Sequence, residues 1–347
     1  MSNRQKIAYT LIALVAIICV IFSLKNAFPT QDTNTEKEGK TSICIDLRPV
    51  LSISFNPEKR NIVYASCGYF YGVNNAVVKS SNYGKSFRRL RNGLVVTTNP
   101  INPDTVFVTT RKELFRSTDS GKSWSKIELK GLEYVEIRDI KVSQKTGAVY
   151  LLTSRGLFMS EDNGIHFTNI GLDNVAQYKI FLGTGKDNTI YACVGDNGHL
   201  LLRSSDNGKS WKEIDEGLNR HLVTALAVSP KDENTILVGT SITTGESGSP
   251  HKETGIFKST DGGLHWKNVG LYDFVYALTV DPNNTNIVYA GTDKGLFKSI
   301  DCGEMWKEVK LSDTENPIYS ITIDPYSHIV YLGTRGAIYR IKEDIGK

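Results

Sequence analysis

The chain has 347 residues, 40% of them hydrophobic and 22% charged, and a formal charge of +4 at pH 7. That balance excludes a disordered chain, and so mild a charge, without any Lys/Arg run, excludes nucleic-acid binding as the basis of function. The length suits one large all-β domain or two ordinary ones.

Residues 7–24, IAYTLIALVAIICVIFSL, carry no charge, Pro or Gly, with Arg4 and Lys6 before them and Lys25 after. As a helix this run rises about 27 Å, enough to span the hydrocarbon core of a bilayer. The basic leading flank predicts a cytoplasmic amino terminus and an exported remainder. A cleaved signal peptide is the alternative. No small-x-small site follows the run, and Ile18 precedes Cys19 where a lipoprotein signal needs a small residue. Residues 1–25 therefore read as a cytoplasmic tip and uncleaved signal-anchor. Residues 26–42, NAFPTQDTNTEKEGKTS, are polar and read as a flexible tether. The predicted location is the cell envelope, with the domain outside the cytoplasm and secretion after cleavage as the alternative. Cys44, Cys67, Cys193 and Cys302 are scattered and form no CxxC. They read as isolated cysteines rather than a disulfide framework or a metal site.

From residue 43 onward the chain repeats. The stretch LFRSTDSGKSW (114–124) has relatives in VVKSSNYGKSF (77–87), LFMSEDNGIHF (157–167), LLRSSDNGKSW (201–211), IFKSTDGGLHW (256–266) and LFKSIDCGEMW (296–306). The acidic or amide position falls at Asn82, Asp119, Asp162, Asp206, Asp261 and Asp301; the closing aromatic falls at Phe87, Trp124, Phe167, Trp211, Trp266 and Trp306. Spacings of 37 to 55 residues with strand-like content point to propeller blades. Each unit reads as four strands, the box lying between the third and fourth. Inner strands are expected near 50–55, 94–97, 137–142, 178–182, 223–228, 276–280 and 318–323. The last unit lacks an outer strand, and TSICIDL (41–47) can supply it, covering an open edge. The expected fold is an all-β, seven-bladed β-propeller of four-stranded antiparallel blades over 43–347, closed by an N-terminal strand and preceded by one transmembrane helix.

Within the box, the Asp or Asn side chain can accept bonds from backbone N–H groups about two residues on. Gly permits positive φ, and the aromatic packs between strands. A calcium loop would need more oxygen ligands, including a late Glu that these boxes lack, so neither metal nor cofactor is expected.

The pattern S-x-D-x-G-x-x-W, as in Ser117-Thr118-Asp119-Ser120-Gly121-Lys122-Ser123-Trp124, resembles the Asp-box (BNR) repeat, with Asn82, Phe87 and Phe167 as departures. That superfamily includes sialidases, xyloglucan-type glycoside hydrolases, sortilin-type receptors and the single-propeller photosystem II stability/assembly factor family. The resemblance implies a propeller whose boxes lie at the blade periphery, away from the ligand face. The sialidase Tyr/Phe-Arg-Ile-Pro motif is not matched by Asp46-Leu47-Arg48-Pro49, and the paired propellers of xyloglucan hydrolases exceed the room in this chain. The layout is most similar to the photosystem assembly factor type, which implies a non-catalytic, protein-binding or assembly scaffold. A glycoside hydrolase or carbohydrate-binding propeller is the alternative.

The loops opposite the boxes carry the candidate site. Two are unusual: 65–76, with Tyr69, Phe70 and Tyr71 in a row, and the long 240–255. Others add Arg111, Arg155, Arg220, His221, Tyr272, Tyr276, Lys294 and Arg335. Arg and aromatic residues are favoured in protein interfaces, so a protein partner at the envelope is expected, with carbohydrate as the alternative ligand. A glycosidase would need two facing carboxylates. Glu136, Asp139 and Asp273 are the candidates, without a spacing that pairs them, and His221 lacks an evident acid/base partner in the sequence.

Overall fold

The structure, a computed structural model, describes residues 40–69, 75–173, 175, 177–183, 189–195, 200–218, 221–241, 254–311 and 317–342. The apolar stretch 7–24 lies outside them; among the described residues no helix is long and apolar enough to cross a membrane.

Every regular element described is a strand. Five sheets are four-stranded antiparallel meanders. They comprise β5 (Val95–Thr98), β6 (Val106–Thr109), β7 (Leu114–Ser117) and β8 (Ser125–Ile127); β9 (Ile137–Val142), β10 (Val149–Thr153), β11 (Gly156–Ser160) and β12 (Thr168–Asn169); β13 (Gln177–Leu182), β14 (Ile190–Val194), β15 (Leu200–Ser204) and β16 (Lys212–Glu213); β17 (Leu222–Val228), β18 (Ile236–Ser241), β19 (Ile256–Ser259) and β20 (Lys267–Asn268); and β21 (Val275–Val280), β22 (Val288–Thr292), β23 (Leu296–Ser299) and β24 (Lys307–Val309). The sixth sheet has seven strands and joins the two ends of the described chain. Its order is β25 (Ser320–Ile323), β26 (Ile329–Gly333), β27 (Arg335–Lys342), β1 (Lys40–Phe55), β2 (Val63–Cys67), β3 (Ala76–Ser80), β4 (Arg88–Asn92). β1 serves two partners in turn: Lys40–Cys44 pair with β27, Val50–Phe55 pair with β2, and the register breaks on either side of Pro49.

The second strands β2, β6, β10, β14, β18 and β22 are buried along their whole length. Their runs of Val, Ile, Tyr and Leu suit a strand with a neighbouring sheet on both faces. The buried apolar side chains gather into clusters that straddle successive sheets. One further cluster joins Val50, Val63 and Ala65 to Tyr331 and Ile338, across the junction of the first and last strands. Inner strands bond sideways as well. The Thr224 hydroxyl donates to Val275 O at 2.6 Å, and the Ser320 hydroxyl donates to Val50 O at 2.8 Å, so the last inner strand adjoins the first.

The box geometry explains how the sheets are held together. Asp119 Oδ1 accepts from Lys122 N at 2.9 Å and Ser123 N at 2.8 Å, while Oδ2 accepts from the Ser123 hydroxyl at 2.6 Å. The donors stand three and four residues on, one and two residues beyond the reach expected from sequence. Ser117 Oγ accepts from Gly121 N at 2.7 Å and donates to Asp119. In two boxes a histidine replaces the second serine, His166 on Asp162 and His265 on Asp261, each at 2.6 Å. Asn82 keeps the geometry by reversing one bond, its Nδ2 donating to Ser86 Oγ at 2.9 Å. The residue between Asp and Gly joins Gly at positive φ, as with Ser120 at 58° and Gly121 at 83°. This pair of left-handed residues turns the Ser120 carbonyl outward, where Lys79 Nζ donates to it at 2.6 Å and the Tyr64 hydroxyl at 3.1 Å, both from the preceding sheet.

The same latch recurs. Arg116 donates to Asn163 O at 2.9 Å and Arg203 to Gly262 O at 3.2 Å. Arg340, on β27, donates to Tyr83 O at 2.8 Å and so closes the last strands onto the first box. Met159 occupies the cation's position in one unit, and there the Tyr150 hydroxyl reaches the next box at Asn207 instead. The box glycine abuts the preceding sheet too: a Cβ on Gly164 would lie 2.7 Å from Phe107, and one on Gly263 would lie 2.8 Å from Ile214. The closing aromatic packs across the same seam rather than between strands of its own sheet. Trp124 lies against the cluster of Tyr64, Val77 and Val106, and Trp266 Nε1 donates to Ile214 O at 2.7 Å.

Two outcomes follow from the box. Trp124→Ala, which empties part of one seam, costs about 3 kcal/mol, read as a lowered urea midpoint. Hydrogen bonds from Ser210 and Ser204 hold the Asp206 carboxyl at about 2, below its ordinary 3.8. The stabilisation from this depressed carboxylate is present above the unfolded value and is lost as pH falls toward about 2. Asp206→Asn, which can copy Asn82, flattens the loss of stability between pH 4 and about 2; Asp206→Ala destabilises at neutral pH as well. Acid titrations of folding by circular dichroism compare the two.

Candidate binding face

Antiparallel meanders place the turns between first and second strands at the same end as the boxes, and backbone bonds tie them: Ser120 N to Asp104 O, and Cys302 N to Asn286 O, each at 2.9 Å. The turns between second and third strands, and the connections to the next sheet, lie at the opposite end. That end holds the sequence-nominated residues in two described groups.

The first group stands over β21 and β25. Residue pairing slips between Val275 and Ala277, leaving Tyr276 as a bulge at the head of β21. Its ring is 4.5 Å from Phe274 and 5.0 Å from Tyr319, centre to centre, in tilted contacts. Burial, with Tyr319 and Asp293 close by, pushes the Tyr276 hydroxyl up to about 12, while nearby Arg335 opposes the shift. Arg335 is exposed. Lys294 donates to the Asp273 carboxylate, which raises the lysine's own pKa, and the Asp293 carboxylate accepts from Phe274 N at 3.1 Å. Tyr272 is half exposed at the edge.

The second group surrounds β9. Arg111 Nε donates to Glu136 Oε1 at 2.9 Å and Arg138 Nη2 lies 3.4 Å from Oε2, so one carboxylate is gripped by two guanidinium groups. Arg155 donates to Gly131 O at 3.2 Å, which ties down the loop that presents the fully exposed Tyr134. Below this group Asp139 is buried, with Lys141 Nζ 2.9 Å from its Oδ1. Burial, then Lys141, lowers the pKa of Lys179, whose Nζ donates to Thr224 O on β17 at 3.1 Å.

The other nominated residues stand apart. Tyr69 is clamped at the root of its loop by Asn75, which exchanges bonds with its N–H at 3.1 Å and its carbonyl at 3.0 Å. His221 begins β17's approach, its N–H on Leu218 O at 3.0 Å. Phe70, Tyr71, Arg220 and residues 242–253 lie outside the described residues. Phe274 and Tyr319 were not nominated from sequence. The signal was present: Arg138, Thr224, Tyr276 and Tyr319 occupy the same register, one residue before the inner strand's alternation resumes. Cys67 and Cys193 are buried and Cys302 is partly exposed.

The three carboxylates nominated for catalysis each meet a cation: Glu136 two arginines, Asp139 Lys141, and Asp273 Lys294. Such pairing fixes the orientation of each carboxylate.

Closed meanders with outward boxes and a loop-built face define the protein as a β-propeller. Residues 104–319 match the DUF6242 beta propeller domain, and the chain belongs to that family. It is 25% identical over 227 residues to a xyloglucanase of Hypocrea jecorina, which covers 62% of this chain but only 26% of that protein. Thus the chain spans about a quarter of that curated relative. Among solved structures, YCF48 bound to D1 peptide superposes with a TM-score of 0.67 at 16% identity, covering 90% of this chain and 99% of that one. The GH74 enzyme of Niastella koreensis superposes with a TM-score of 0.63 at 19% identity, covering 87% of this chain and 57% of that one.

The buried phenol gives a testable outcome. With its folded value raised to about 12, Tyr276 stabilises the fold fully below pH 10 and loses that contribution as pH rises toward 12. Tyr276→Phe lessens the alkaline loss of stability in that window, measured by urea denaturation at pH 9 and pH 11.

Proposed function

We propose that this chain is a membrane-tethered, seven-bladed propeller on the extracytoplasmic side of a cell-envelope membrane, acting as a non-catalytic scaffold that binds a protein segment. The seven-stranded sheet then divides into two blades, β1 completing the last blade with its first half and opening the first blade with its second. The apolar run 7–24 supplies the anchor.

One observation carries the binding reading: the face opposite the boxes pairs its carboxylates with cations and leaves an aromatic trio beside exposed Arg335. Tyrosine and arginine are the side chains that anchor protein interfaces. Prearranged ion pairs hold the loops without a ligand, which lowers the ordering cost of binding. The peptide-bound YCF48 relative, matched along nearly its full length, supports the same reading. The xyloglucanase relative supports the rival, a carbohydrate-active propeller.

Affinity purification from solubilised membranes tests the choice. The expected result is a specific protein partner whose recovery falls at least about tenfold in Tyr276→Ala/Arg335→Ala. Hydrolysis of xyloglucan by the purified chain, abolished by Asp273→Asn, with no partner recovered, overturns it.

A further inference from the structure

The exposed apolar side chains are unevenly placed. Every large aliphatic side chain exposed among the described residues belongs to a box or to a first turn on the box face: Ile101, Ile165, Leu264, Ile300 and Met305. Ile300 and Met305 are each 73% exposed. Among the described residues, the large apolar groups exposed at the opposite end are the tyrosines Tyr134 and Tyr272.

The box fold does not require these aliphatic residues, because the positions of Ile300 and Met305 are filled elsewhere by Thr118 and Ser123 or by Ser205 and Ser210. The position after Gly is an exposed lysine in three boxes, Lys85, Lys122 and Lys209, aliphatic in two, Ile165 and Leu264, and Glu304 in the box of Ile300 and Met305, where Lys258 and Lys267 each lie 2.8 Å from its carboxylate. A rim that mixes aliphatic groups with more lysines than acids at this position fits a bilayer surface. The aliphatic groups enter the headgroup boundary, and the ammonium groups reach anionic headgroups.

The chain's path indicates the same side. β27 runs from Arg335 at the binding face to Lys342 at the box face, and Lys40 of β1 pairs with Ile341. The described chain therefore begins at the box face.

We infer that the box face rests on an anionic lipid surface and that the binding face points away from it. This rests on the proposed anchor, and the test separates the two. All four tryptophans lie in boxes, so intrinsic fluorescence reports on this face alone. The full chain is reconstituted into phosphatidylcholine/phosphatidylglycerol vesicles with and without a headgroup-nitroxide lipid. The nitroxide lipid is expected to quench the tryptophans. Ile300→Ser/Met305→Ser is expected to reduce that quenching about twofold, while Tyr134→Ser/Tyr272→Ser leaves it unchanged. A chain that stays with the vesicles through an alkaline wash yet shows no quenching, or none that the Ile300/Met305 pair alters, overturns the orientation and leaves the anchor standing. A chain that the wash releases overturns both. Sedimentation in detergent in which Ile300→Ser/Met305→Ser splits a dimer assigns the surface to a second copy and overturns the lipid contact.

Discussion

The bond from a basic side chain to the outward carbonyl of the next box is the interaction on which the ring depends. A β-sheet of four strands has two apolar faces and must cover both. Hydrophobic burial supplies the attraction between sheets but no fixed spacing or rotation. The latch adds direction. Lys79, Arg116, Arg203 and Arg340 each reach one carbonyl that only a pair of left-handed residues can present. The Asp holds those residues in place through their neighbours' N–H groups, and the glycine lets the preceding sheet come close. The carboxylate at the centre of each box is thus consumed in building the turn.

That division of labour leaves the other end of the sheets free. At the box end nearly every polar group is spent on its own turn or its neighbour, and the boxes resemble one another. At the opposite end the loops differ in length and content, so the chemistry that varies from sheet to sheet collects there. Bulges at the heads of the inner strands, at Tyr276 on β21 and Thr224 on β17, re-aim one side chain per strand without disturbing the buried alternation below. A repeated frame of seams and an irregular rim of loops are separable because they lie at different ends of the same strands.

Much of the architecture was legible because it repeats. Six boxes and their flanking alternation placed the inner strands within two residues of β5, β9, β13, β17, β21 and β25. The basic residue before five of the six box serines was equally visible, yet its role was not. Lys79 and Arg116 meet their partners only after the sheets are stacked, and no local pattern reveals which carbonyl lies 41 or 47 residues further on. The same limit applied to the face. Arg111, Lys294, Arg335 and Tyr276 could be nominated from loop position, but their pairing with Glu136, Asp273, Phe274 and Tyr319 follows from which loops become neighbours. Tyr319 was passed over, and its contact with the Tyr276 ring comes only from the stacking of β21 beside β25.

The double duty of β1 has a consequence for how the chain reaches this state. Its first half finds its partner in β27, and Arg340 reaches back 257 residues to Tyr83. Most strand pairings are local meanders and can form as soon as their residues are available. The closing contacts are the opposite, among the longest-range in the chain, and they must wait until the far end has been made. During synthesis the first half of β1 therefore remains an unpaired edge while successive sheets stack beside it. Closure is the last step, and it converts a row of sheets with two exposed ends into a ring with none.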